Sequence, residues 1–182
     1  MVNRRNFLKA AAGLMSSALV NSPGVLANQK RPAFELTASN GRYKFGPGQA
    51  MATQVMFYNE SIPGPVIRIP QGQESTIRFK NALDEPSSVH WHGLRIDNAM
   101  DGVPGLTQEP VLPGAAFDYR LTPPDAGSYW YHTHQRSWAQ LALGLAGVLI
   151  VEEESPPLVD QDLVLAIDDW RLDKQMQMDT RS

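Results

Sequence analysis

Between residues 34 and 151 apolar positions recur mostly at every second residue, and turn residues cut the alternation into short runs. Successive side chains of a strand point to opposite faces, so alternation of this kind describes strands with one face buried. The pattern predicts strands over residues 34–38, 51–58, 66–69, 74–79, 89–92, 117–121, 129–134 and 145–151. Gln71-Gly72, Asp101-Gly102, Pro104-Gly105, Pro113-Gly114 and Asp125-Ala126-Gly127 separate them with turn chemistry. Short strands at such spacing predict an all-β sandwich or barrel. Residues 137–143 read as one or two helical turns. Beyond them, Glu152-Glu153-Glu154-Ser155-Pro156-Pro157 has the charge run and prolines of a linker. Residues 162–170 then read as one further strand with nothing after it to pair with. The predicted organisation is therefore a leader over 1–27, a β-domain over 28–154, and a linker with the first strand of a second domain over 155–182.

Composition changes this picture in three places. With 42% hydrophobic and 19% charged residues the chain can bury a core, and 14 prolines and 14 glycines favour turns over long helices. The leader carries adjacent arginines in Asn3-Arg4-Arg5-Asn6-Phe7-Leu8-Lys9, then a mild apolar run and Val25-Leu26-Ala27, a small-x-Ala cleavage pattern. This resembles a twin-arginine export signal and predicts a periplasmic or secreted protein. The apolar run is far short of the roughly 20 residues of a membrane span, so no span is expected. Removing the leader's three bases from a chain of net charge −3 leaves about −6, which offers no footprint for nucleic acid. Cysteine is absent, so no disulfide and no thiolate ligand is possible within the chain.

The candidate chemistry lies in the histidines. All 4 fall into two pairs, His90-Trp91-His92 and His132-Thr133-His134, both in predicted strands. Residues i and i+2 of a strand share a face, about 6.5–7 Å apart. Two such strands side by side would aim four imidazoles into one space, and imidazole suits copper, zinc, iron and nickel. One His-x-His pair is weak evidence for a metal site, since histidines alternate by chance. Two pairs that exhaust the histidines point to half of a polynuclear site. Trp91, Trp130 and Tyr131 read as core, and Gly93 as a position where backbone passing beside a cluster leaves no room for a Cβ.

The motifs in order carry a resemblance. Asn59-Glu60-Ser61-Ile62-Pro63-Gly64-Pro65, His90-Trp91-His92-Gly93, Met100-Asp101-Gly102-Val103-Pro104-Gly105 and Gly127-Ser128-Tyr129-Trp130-Tyr131-His132-Thr133-His134 resemble the first cupredoxin domain of multicopper oxidases. That family includes laccases, bilirubin oxidases and bacterial copper-efflux oxidases. The resemblance implies a cupredoxin-like Greek-key β-sandwich with copper as cofactor. His90 would bind the type 2 copper, and His92, His132 and His134 the type 3 pair. Asp101, after His-Trp-His-Gly, would help deliver protons to oxygen; as residues alone, Asp101-Gly102 is equally a plain turn. Gly144-Leu145-Ala146-Gly147 departs from the family, where many relatives carry an aromatic at the third position.

The resemblance also implies what this sequence does not hold. The type 1 copper needs a cysteine thiolate, and the remaining trinuclear ligands come from a later domain with His-x-x-His-x-His and His-Cys-His motifs. The implied intact enzyme couples one-electron oxidation of a small reducing substrate, a phenol or a metal ion, to reduction of O₂ to water, with further cupredoxin domains as partners. The chain alone is expected to be inactive. A non-catalytic periplasmic copper-binding module would use the same four histidines without partner domains. A copper-free structural relative and a cupin-type mononuclear enzyme are further readings; the intact histidines oppose the first, and the lack of a Glu and later His in register opposes the second.

Overall fold

In the computed structural model, residues 33–48 and 51–179 are described, and the proposed leader lies outside them. Eight strands follow in order: β1 (Phe34–Tyr43), β2 (Thr53–Tyr58), β3 (Gly64–Pro70), β4 (Ser75–Asn81), β5 (His90–His92), β6 (Ala116–Leu121), β7 (Gly127–His132) and β8 (Ala146–Glu152). They form two four-stranded sheets ordered β2-β1-β4-β6 and β3-β8-β7-β5. The pairs β1/β4 and β3/β8 are parallel and the others antiparallel. From β2 to β7 the chain changes sheet at every connection, which builds the expected all-β, cupredoxin-like sandwich. A single turn of helix, α1 (Ser137–Gln140), lies within the stretch read as helical.

The alternating residues supply the interior. Leu36, Ala38, Ile77, Phe79, Tyr119 and Leu121 from one sheet meet Ile67, Ile69, Trp91, Tyr131 and Leu149 from the other, all essentially inaccessible. Burying apolar surface contributes about 25 cal/mol per Å², and the large aromatic rings add most of it. Trp91 lies 5.3 Å from Tyr119 and 5.8 Å from Tyr131 between ring centroids. Because Trp91 is plugged into this cluster, its neighbours His90 and His92 must project from the opposite face of β5. The cluster at the core thus orients the candidate ligands.

Two expectations fail. The strand read over 129–134 ends at His132, leaving His134 beyond the ladder. Residues 162–170 form no strand either: Leu163, Leu165 and Ile167 are 76%, 86% and 98% exposed. That stretch touches β3 through the Asp162–Arg68 ion pair at 2.9 Å, a side-chain contact and not a backbone ladder. An alternating segment without ladder bonds does not become a strand. The chain returns to the sandwich at the end of this stretch and beyond it. Trp170 packs on Phe45 at 4.5 Å, and the Gln54 N–H donates to Gln177 Oε1 at 3.0 Å.

Candidate metal centre

β5 and β7 pair antiparallel with His90 opposite His132, Trp91 opposite Tyr131 and His92 opposite Trp130. This register converts two sequence-local pairs into one cluster. His90 lies at its centre, with ring centroids 5.6 Å from His92, 5.3 Å from His132 and 5.4 Å from His134. His90, His92 and His132 each present a nitrogen such that all three lie within 4.8 Å of one another. His134 joins on the far side, 6.3 Å from His132.

Hydrogen bonds fix which nitrogens are free. His90 Nδ1 is 2.8 Å from the Asp101 carbonyl, which can only accept, so Nδ1 carries the proton and Nε2 keeps its lone pair. By the same argument His132 donates from Nδ1 to the Thr133 carbonyl at 2.8 Å and keeps its lone pair on Nε2. His92 Nδ1 stands 3.3 Å from that Nε2. Metal–nitrogen bonds run near 2 Å, so one cation fits between the two in place of the His92 proton. Burial, with the three neighbouring imidazoles, pushes His132 down to about 4 against the pull of the Thr133 carbonyl. A histidine kept neutral in this way stays a ligand in acid where an ordinary one would be protonated. The donor set, imidazole nitrogens of which those of His90 and His132 belong to backbone-locked tautomers, fits a transition metal such as copper.

Of the four rings, His92 and His134 are exposed. His90 is half-buried and His132 is buried. Asp101 closes the 3₁₀ turn Asn98–Met100. Its backbone carbonyl makes the short bond to His90, while its carboxylate oxygen stands 3.3 Å from the same nitrogen. Trp130 is no core residue: 37% exposed, it stacks on His132 at 4.2 Å and lies 4.8 Å from His92. It sits two residues before His132 and opposite His92 in the ladder, so alternation alone could have placed it on the ligand face. Gly93 is needed for its φ of +83°, since a Cβ there would meet nothing closer than 3.4 Å. The crowded glycine is Gly102, with φ +77° and a would-be Cβ 1.7 Å from the Val89 carbonyl oxygen. Ala146, at the family's aromatic position, instead lines a cavity of about 660 Å³ beside Trp130 and Val148.

Ser88 and Gln140 also escaped the sequence reading. The Ser88 Oγ accepts from the His134 N–H at 3.2 Å, and Gln140 is wholly buried behind Thr133. Their only sequence signal is polar residues in strand-like or helical runs beside the ligands.

Comparison with known proteins agrees with this geometry. The chain is 35% identical over 180 residues to the copper resistance protein A homolog of Pseudomonas syringae pv. tomato, covering 92% of this chain and 30% of that protein. It is 38% identical over 156 residues to Laccase-1 of Cryptococcus neoformans, covering 77% and 25% respectively. The crystal structure of Lac15 from a marine microbial metagenome is 51% identical and superposes with a TM-score of 0.75, over 81% of this chain and 39% of that one. The chain thus spans a quarter to two fifths of the length of these relatives. Residues 38–156, which hold all four histidines and Asp101, match the multicopper oxidase family, and the chain belongs to it.

Proposed function

We propose that this chain supplies half of the ligands of a trinuclear copper site in an exported, laccase-like multicopper oxidase. His90 serves the type 2 copper through Nε2, and His92, His132 and His134 serve the type 3 pair. The observation that carries the reading is the convergence of His90, His92 and His132, with the Nδ1 protons of His90 and His132 locked on backbone carbonyls and their Nε2 lone pairs free. Bound copper would supply the one-electron chemistry that joins substrate oxidation to reduction of O₂ to water. The chain's own residues orient the imidazoles, keep His132 neutral by burial, and hold a carboxylate, Asp101, near His90 as a proton source. Because the sequence contains no cysteine, the type 1 thiolate and the remaining histidines come from a further cupredoxin domain. The reducing substrate, a phenol or a metal ion, binds there. The twin-arginine leader directs the protein to the periplasm or the exterior; among the described residues no helix is long and apolar enough to cross a membrane.

Calorimetric titration of the purified chain with Cu(II), beside oxygen uptake with a phenol and with Cu(I), tests this. The chain is expected to bind copper, to lose most of that binding on His90→Ala with His132→Ala, and to consume no oxygen. Binding untouched by the double substitution would refute the four-histidine site. Oxygen uptake coupled to substrate oxidation would refute the need for a second domain.

A further inference from the structure

His134 poses a problem of placement. The β5–β7 ladder stops at the His90–His132 rung, so no backbone ladder bond reaches the residue two positions later. The ring nevertheless lies 5.4 Å from His90, as close as the ladder-held His132. Something other than the sheet sets it there.

Behind the strand end stands Gln140, the last residue of α1, at 0% exposure. Its Oε1 accepts from the Thr133 hydroxyl at 2.8 Å and from the Ser87 hydroxyl at 2.9 Å. Its Nε2 donates to the Pro86 carbonyl at 2.9 Å and to Glu85 Oε1 at 3.0 Å. Both donors and both lone pairs of the amide are used, so neither a carboxylate nor an apolar side chain can make the same set. The amide ties residues 85–87, which lead into β5, to Thr133, which separates His132 from His134. The Thr133 hydroxyl in turn accepts from the Gln135 N–H at 3.1 Å, and Ser88 Oγ accepts from the His134 N–H at 3.2 Å. One backbone bond, from the Thr133 N–H to the Leu145 carbonyl at 3.2 Å, reaches the residue before His134; beyond it, side chains hold Thr133, Gln135 and the His134 backbone itself. Glu85 is itself engaged by Arg136, so the partner of the amide is fixed as well.

We propose that Gln140 is the positioning residue for His134: one fully satisfied buried amide extends the ligand pair of β7 past the end of its ladder. The inference rests on the copper reading only where it predicts affinity; its geometric content does not. A buried polar network of this kind specifies one arrangement strongly, because each unpaired member would cost desolvation energy.

The test uses the full chain and two variants. Gln140→Met keeps the volume and removes all four bonds; Thr133→Val keeps the amide and removes its link to the ligand segment together with the bond from the Gln135 N–H. Nuclear Overhauser contacts between imidazole protons are measured without metal, and Cu(II) affinity by calorimetry. Both variants are expected to lose the His90–His134 contact and retain the His90–His132 contact, an internal control that general loosening would not spare. Copper affinity should fall roughly tenfold or more in each, the usual range for a residue that orients a ligand. Combined with His134→Ala, neither should cause further loss, because both act through the same ring. If Gln140→Met does not fold, Thr133→Val decides. Retention of the His90–His134 contact in either folded variant overturns the proposal, as does wild-type affinity. If the wild-type chain shows both ring contacts and takes up no copper, the copper reading fails while the ring contacts still decide for or against Gln140.

Discussion

The four histidines form two pairs of different construction. His90 and His132 face each other across one rung of the β5–β7 ladder, and each donates from Nδ1 to a backbone carbonyl, of Asp101 and Thr133 respectively. They are half-buried and buried. His92 and His134 lie outward of that rung, both exposed, one beside Trp130 and the other beyond the end of β7. The inner rung is thus set by backbone, which tolerates most side-chain changes. Of the outer two, His92 still has its own rung, opposite Trp130, whereas His134 is held through side chains, which single substitutions remove. Two ligands with the same sequence context, His-x-His on a strand, therefore answer to different parts of the molecule.

The largest effect expected from breaking this contrast lies at Gly102, which lies under the inner rung. Its φ of +77° is left-handed, and an added Cβ would fall 1.7 Å from the Val89 carbonyl oxygen, a backbone atom with little room to yield. Gly102→Ala must shift either the residue before His90 or the Asp101 carbonyl that holds its ring. A loss of about 2–4 kcal/mol in urea unfolding is expected from left-handed strain and displaced backbone. The His90–His132 contact should weaken as well. Stability within about 0.5 kcal/mol of wild type would show that the inner rung does not depend on that carbonyl.

A smaller effect, read by pH, belongs to the buried ring. His132 is lowered to about 4 in the folded chain, chiefly by burial, against about 6.5 in an unfolded one. The unfolded chain therefore takes up this proton first as pH falls. Stability contributed by the neutral ring is complete above about pH 6.5 and is lost as pH drops toward 4. Replacing His132 with Gln should flatten the decline of the urea midpoint between pH 7 and pH 4.5. An unchanged decline would show that burial of this ring does not set the acid limb of stability.

Much of this was legible in the sequence because it depends on local alternation. Leu36, Ile67, Ile69, Phe79 and Leu121 fell on the buried face as their spacing required. The two histidine pairs read correctly as one cluster because register follows from which face is buried. Alternation alone misled at residues 162–170, where Leu163, Leu165 and Ile167 repeat every second residue yet find no ladder. Pattern states which face could be buried; only a partner buries it. Trp130 misled for a related reason, because a large aromatic usually belongs to a core, whereas its parity with His132 placed it on the ligand face. Gly102, Ser88 and Gln140 could not be found by periodicity, since their roles rest on backbone dihedrals and on contacts between residues 46 and more positions apart.

The smallest effect is expected at Asp101, and it sharpens the contrast most. His90 has two acceptors from this one residue: the carbonyl at 2.8 Å and the carboxylate oxygen at 3.3 Å. The shorter belongs to the backbone, so Asp101→Asn leaves intact the bond that fixes the tautomer. The Asn side chain can also keep the bonds and turn geometry that follow the 3₁₀ turn. Stability should stay within about 0.5 kcal/mol of wild type, and Cu(II) affinity of the chain within about twofold, well short of the tenfold or greater loss when a ligand-orienting group is removed. Only a readout that consumes protons, oxygen reduction in an assembly holding the remaining domains, should slow. A tenfold loss of copper affinity in Asp101→Asn would place the orienting role in the carboxylate. The inner rung would then be held by a side chain, as His134 is.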